Sequence, residues 1–190
     1  MPSSQKKSCA YPGCPELVTF GYCDKHRKHS YYPSLKRPPR IRVIMVVGAP
    51  GSGKSYYVAQ NAKPGDIVLD LDEIQSEISG KPLHSYYSHE IMEKAIQVRN
   101  QRIEDLENVV LPGKTLWFIV SAGNTIDRMR WKQILQPVKT YVMNCPLNIC
   151  IQRIRERRSE SETDQILAAE KWFKNFEPLT TDFYIDTGGK

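Results

Sequence analysis

The eight residues from Gly48 to Ser55 read GAPGSGKS and fit the pattern G-x-x-x-x-G-K-[ST]. A loop of this kind binds phosphate. Gly48, Gly51 and Gly53 allow a tight backbone path, and successive N–H groups around Ser52 turn inward as an anion nest. The helix that opens after the loop adds the positive end of its dipole. Lys54 is expected to reach the β and γ phosphates, and the Ser55 hydroxyl to ligate Mg²⁺. Some fifteen residues further on, DIVLDLDEI carries Asp70 and Asp72. Two apart on an extended strand, they would share one face. A carboxylate there can take a proton from an attacking hydroxyl or hold Mg²⁺ through water. Either aspartate could also cap the helix that follows, and Asp72 keeps both roles. A third group lies in CPLNICIQRIRERR, where Arg153 and Arg157 are four apart on one helix face, flanked by Arg155 and Arg158. Guanidinium groups brought over a triphosphate would neutralise transition-state charge; a solvated basic face paired with Glu156, Glu160 and Glu162 is the plainer reading.

A second kind of chemistry sits near the start. Cys9, Cys14, Cys23 and His26 have the spacing C-x4-C-x8-C-x2-H, with His29 as a reserve ligand. Four such donors in two short-spaced pairs suit a closed, tetrahedral, structural Zn²⁺ site. Almost no apolar core is available in this segment, so the metal would supply the folding energy. The chain has five cysteines and no secretory pattern, which argues against a disulfide framework. Cys145 and Cys150 lie in an apolar context and read as buried, inert thiols.

The elements that must position these groups follow from periodicity. IRVIMVV, DIVLDLD, TLWFIVS, VKTYVMN and DFYIDT read as five strands. Helical patterns lie between them: after the glycine loop, over EIQSEIS, over about 85–110, over 126–135, over 146–158, and over TDQILAAEKWFKNF with Thr163 or Asp164 as cap. This alternation predicts an α/β fold, a parallel sheet with helices on both faces. The 190 residues divide into a metal module at 1–29, a semi-extended Pro/basic linker at 30–40 and an ATP-binding domain at 41–190. The longest apolar run, VIMVV, is strand-sized, far below the roughly 18 residues of a membrane span, so an intracellular protein is expected.

The net charge is +6, and up to Arg42 there are nine Lys and Arg against two acids, so the basic character belongs to the metal module and linker. That concentration points to a polyanionic partner, most simply nucleic acid. Lys25, Arg27, Lys28, Lys36, Arg37 and Arg40 would contact phosphates, and Tyr11, Tyr22, Tyr31 and Tyr32 would stack on bases or pack the module.

VVGAPGSGKS, VLDLDEI, WFIVSAGNTIDRMRW and YVMNCPLNICIQRIRERR together resemble the P-loop kinase group that includes phage polynucleotide 5′-kinase, over about 41–187. The resemblance implies a five-stranded parallel sheet of order 2-3-1-4-5 and an arginine-bearing lid. It further implies ATP·Mg²⁺ on Lys54 and Ser55, Asp72 as the group that activates a 5′-hydroxyl, Arg153 and Arg157 in the lid, and Asn124 and Arg128 near the substrate. Two positions depart from that group: Gln75 replaces a common arginine, and Ser121 replaces a common acid. Arg99 or Arg102 would then stand in for the missing arginine, or simply pair with Glu104 or Asp105 on the surface. The cysteine module resembles the short zinc modules ahead of some phage endonuclease domains. Three activities fit these residues: a nucleic-acid 5′-kinase, a kinase of nucleosides or other small metabolites, and a DNA-binding ATPase of phage replication or packaging.

Overall fold

A computed structural model describes residues 7–9, 13–18, 23, 25–26 and 30–188. Five parallel strands form the sheet: β3 (Arg42–Val47), β4 (Ile67–Leu69), β5 (Thr115–Val120), β6 (Lys139–Asn144) and β7 (Phe183–Asp186). Their spatial order is β4-β5-β3-β6-β7, the order 2-3-1-4-5 of the parallel strands. β3 and β5 lie inside the sheet, which is why Val43 to Val47 and Leu116 to Val120 are unbroken apolar runs. Alternate residues divide between two cores. Val43, Met45, Val47, Leu116 and Phe118 face one side with Trp131, Leu135, Ile154 and Trp172. Ile44, Val46, Trp117 and Ile119 face the other with Val58 and Met143.

The helices are α1 (Lys54–Asn61), α2 (Leu71–Ser79), α3 (His89–Asp105), α4 (Thr125–Leu135), α5 (Leu147–Arg157) and α6 (Glu162–Asn175). Three boundaries differ from expectation. β4 stops at Leu69, because the Asp70 carboxylate accepts from Asp72 N at 3.1 Å and starts α2. Asp70 is therefore the cap and Asp72 sits in the first helical turn, so the two do not share a strand face. α3 begins at His89 instead of near Ser85, since Ser88 Oγ accepts from Ile91 N. α6 follows Ser161, which makes no side-chain cap, and neither Thr163 nor Asp164 caps it.

The segment 30–40 has no periodic structure but is held along its length. Ser34 N donates to Glu104 at 2.8 Å, Lys36 N and Arg37 N to Glu107, and Arg40 N to the Leu106 carbonyl. The Tyr32 hydroxyl donates to Asp127 at 2.8 Å, and Tyr32 and Leu35 pack on the core. It is a strap on the domain. Before it, two short antiparallel strands, β1 (Lys7–Ser8) and β2 (Leu17–Val18), form a ribbon. Among the described residues no helix is long and apolar enough to cross a membrane.

Candidate active site and metal-binding cluster

The phosphate loop joins the carboxyl end of β3 to α1, where ligands bind in open parallel sheets. Gly51 has φ +76°, and a Cβ there would lie 2.4 Å from the Cys150 carbonyl oxygen, so no side chain fits. Gly53, at φ +91°, precedes α1 without any side-chain cap. The first N–H groups of α1 thus open toward the cleft, the arrangement an anion needs. Lys54 Nζ donates to the carbonyls of Gly48 and Ala49 at 3.0 and 2.9 Å. Burial holds its ammonium below the ordinary lysine value, and Asp70 pulls it back up. Ser52 turns inward: its buried hydroxyl has no partner among the described residues, and a Cβ on Gly48 would strike it.

The Ser55 hydroxyl donates to Asp70 Oδ2 at 2.7 Å. This pair has the chemistry of a Mg²⁺ site, a hydroxyl and a carboxylate beside the loop, and would hold the ion against the phosphates. Asp72 makes no bond to the loop. Its side chain is 53% exposed, and it lines a cleft of about 510 Å³ with Gly53, Lys54, Asp70 and Arg157. The low-dielectric cleft walls and then the charge of Asp70 push its carboxyl above the usual range, while Lys54, His84 and Arg157 oppose this.

Of the predicted lid arginines, Arg157 enters the cleft. Arg153 lies behind the loop, with Nη1 near Gly53 and Nη2 donating to the Thr187 carbonyl at 2.7 Å. His84 is a cleft residue that sequence reasoning missed. It lies between Asp72 and Arg157, with Nδ1 3.7 Å from the carboxylate and Nε2 3.4 Å from the guanidinium. Its backbone has φ +64°, uncommon outside glycine, and its carbonyl accepts from Ser161 Oγ at 2.6 Å. Burial first, then Arg157, lowers its pKa, which favours the neutral ring. His84 therefore ties the α2–α3 loop to the arginine segment across the cleft. No motif contains it; a histidine in a turn carries no signal by itself.

Two residues placed near the substrate by resemblance lie elsewhere. Arg128 is fully buried and pairs with Asp182 at 2.7 Å, also donating to the carbonyls of Ala122 and Gly123. Asn124 caps α4 by accepting from Asp127 N. Both shape the backbone after β5. Ser121 and Gln75 line the cleft, and Gln75 Nε2 lies 3.5 Å from Met92 Sδ. Arg102 pairs with Glu77 on the surface at 2.7 Å. Arg99 is 2% exposed and lines the cleft. Cys145 and Cys150 are buried, as expected; burial and then Cys145 push the Cys150 thiol up to about 12.

The ligand atoms of Cys9, Cys14, Cys23 and His26 all lie within 4.8 Å of one another. Cys9 follows β1 and Cys14 precedes β2, so the ribbon presents both. Individual separations are 3.9 Å for Cys14–Cys23, 3.6 Å for Cys9–His26 and 3.3 Å for Cys23–His26. A tetrahedron with zinc–sulfur bonds of about 2.3 Å has edges of about 3.8 Å, so the donors fit such an ion. His29, Tyr11, Tyr22, Arg27 and Lys28 lie outside the described residues.

Strand order, loop and crevice define a P-loop nucleotide-binding protein of kinase-like fold. The chain belongs to the family described as AAA domain, whose model matches residues 43–178. Residues 1–39 match a second model, described as Domain of unknown function (DUF8602). No curated protein matches. Among solved structures, the chain is similar to a kinase candidate from Chloroflexus aurantiacus J-10-fl, at 16% identity and a TM-score of 0.54, covering 78% of this chain and 89% of that one. It is also similar to the shikimate kinase of Bacteroides thetaiotaomicron, at 17% identity and 0.47, with coverage of 77% and 85%. A third is the gluconokinase of Sinorhizobium meliloti 1021, at 14% and 0.46, with coverage of 81% and 86%.

Proposed function

We propose that the protein is an ATP- and Mg²⁺-dependent phosphotransferase acting on a nucleic-acid 5′-hydroxyl, with the N-terminal module, folded around Zn²⁺, holding the strand. The carrying observation is the division between two carboxylates. Asp70 is bonded to Ser55 and serves the metal; Asp72 is turned to the cleft with a raised pKa, as a general base should be. The metal, when bound, supplies charge neutralisation on the phosphates. Lys54 and the open N-terminus of α1 bind the phosphate chain. Asp72 orients the acceptor hydroxyl and takes its proton. Arg157 offers a guanidinium to the transferring group.

The polymeric acceptor is supported by the basic residues up to Arg42. A small-molecule acceptor is the second reading, and the observation favouring it is Gln75. Buried against Met92, it offers no cation to a phosphate backbone. Incubation with γ-labelled ATP, 5′-hydroxyl oligonucleotides, nucleosides and sugars separates the two. Label on the oligonucleotide supports the first reading, label on a small acceptor alone the second. Hydrolysis without any labelled acceptor rejects both and leaves an ATPase.

A further inference from the structure

The match to the AAA-domain family begins at residue 43, yet among the described residues Tyr31, which lines the cleft, lies before it. It belongs to the strap. The strap crosses α3 at two buried polar residues, Arg99 and Asn100, which is why a helix face there is not apolar. Arg99 Nη2 donates to the Tyr31 carbonyl, and Asn100 Nδ2 donates to the Ser30 carbonyl at 3.0 Å. The Arg99 guanidinium lies 4.6 Å from the Tyr31 ring centroid and 4.9 Å from that of Trp131, and the two rings meet edge-on at 6.0 Å. Asn100 Oδ1 accepts from Arg99 Nε and Nη2. Tyr31 also meets Tyr32 edge-on at 5.1 Å, and Tyr32 is fixed by Asp127. Backbone and ring of Tyr31 are thus held from three sides. The residue still keeps 42% of its surface exposed, in a cleft it shares with Tyr86, Tyr87 and Met92.

An exposed aromatic ring held this firmly is a stacking platform with its ordering entropy already met. The family-matched domain supplies the phosphate loop, the two aspartates and Arg157. The strap adds a wall that those elements do not contain. We infer that Tyr31 is a specificity-determining residue of the acceptor site, and that the N-terminal strap builds one wall of that site to stack on a planar ring of the acceptor, a nucleobase. This rests on the phosphotransferase reading above and names the acceptor chemistry that its cleft selects.

The test compares Tyr31→Leu, which keeps apolar cover over Arg99 but no ring, with Tyr31→Phe, which keeps the ring. Transfer to a 5′-hydroxyl oligonucleotide is followed at varied acceptor and varied ATP. Loss of one base stack corresponds to about a 5- to 150-fold weakening. Tyr31→Leu is therefore expected to raise the acceptor KM about tenfold at unchanged ATP KM, and Tyr31→Phe to stay within about twofold of the parent on both. An unchanged acceptor KM in Tyr31→Leu, equal losses in both variants, or a parallel rise in ATP KM overturns the inference. If the parent protein labels only a ringless acceptor, the 5′-hydroxyl reading and this inference both fail. If it labels a nucleoside but no polymer, the polymer reading alone fails, and the same comparison on that nucleoside decides. If it labels nothing, fluorescence anisotropy with a 5′-hydroxyl oligonucleotide decides: weaker binding by Tyr31→Leu supports the stacking wall, and equal binding overturns it.

Discussion

Asp70 and Asp72 are two positions apart and face different partners. A strand reading would make them equivalent. The capping bond from Asp72 N to Asp70 turns the chain and separates them, leaving one carboxylate on Ser55 and one free of the loop in the cleft. Two variants separate binding from chemistry. Lys54→Ala is expected to weaken ATP binding strongly, read with a fluorescent nucleotide. Asp72→Asn is expected to keep that binding while lowering kcat about 100- to 10,000-fold, the range for loss of a general base. His84 gives a further prediction. Its left-handed backbone costs about 1 kcal/mol in a residue with a Cβ. His84→Gly should therefore be more stable than His84→Ala by about that amount in urea unfolding, while both lower kcat by removing the link between Asp72 and Arg157. Equal stability of the two variants would show that the turn carries no strain.

Among the elements, the strands were readable because β3 and β5 are buried on both faces and so are apolar from their second residue onward. Helix existence was readable from periodicity; helix starts were not, because Asp70 and Ser88 compete as caps with other Asp, Ser and Thr residues nearby, and α6 starts without a side-chain cap. The phosphate loop was legible to the residue, since its chemistry is fixed by backbone geometry that only glycine meets. Side chains acting over long sequence separations were not legible. Arg99 reads equally as a surface or a cleft residue, and what decides is the strap laid over it from 68 residues away. Arg128 resembled a substrate-binding residue, but the partner that defines it is Asp182, on the turn before β7. Asp182→Asn leaves that guanidinium buried without its counter-charge and should cost about 3–5 kcal/mol in urea unfolding. Acceptor and ATP KM should be unchanged at temperatures where the variant is folded. A KM effect without destabilisation would return Arg128 to the substrate.

For the molecule as a whole, the strap changes where the protein can be divided. Removing residues 1–40 would delete Tyr31, Tyr32 and Leu35, and with them part of the core and the cover of Arg99. Truncation after residue 29 removes the Cys/His cluster and its ribbon but leaves the strap. That shorter chain should keep its ATP affinity and its unfolding transition but bind oligonucleotide more weakly. Its salt slope should be shallower by about 0.7 for each single-strand phosphate that the module neutralises in the full chain. An unchanged slope would take the strand-holding role from the module. On the proposed reading, chelation should have the same effect on the intact protein, because the four donor atoms lie close enough to hold one ion and the module has little apolar core of its own.

Phosphoryl transfer in this cleft depends, on the proposed reading, on Asp72 as base. The decisive experiment follows the appearance of γ-labelled phosphate on a 5′-hydroxyl oligonucleotide, with the parent protein and Asp72→Asn side by side at saturating ATP and Mg²⁺. Label should appear on the oligonucleotide with the parent and fall at least about 100-fold with the variant at equal nucleotide binding. Full transfer by Asp72→Asn, or ATP hydrolysis by the parent with no labelled acceptor, would refute it.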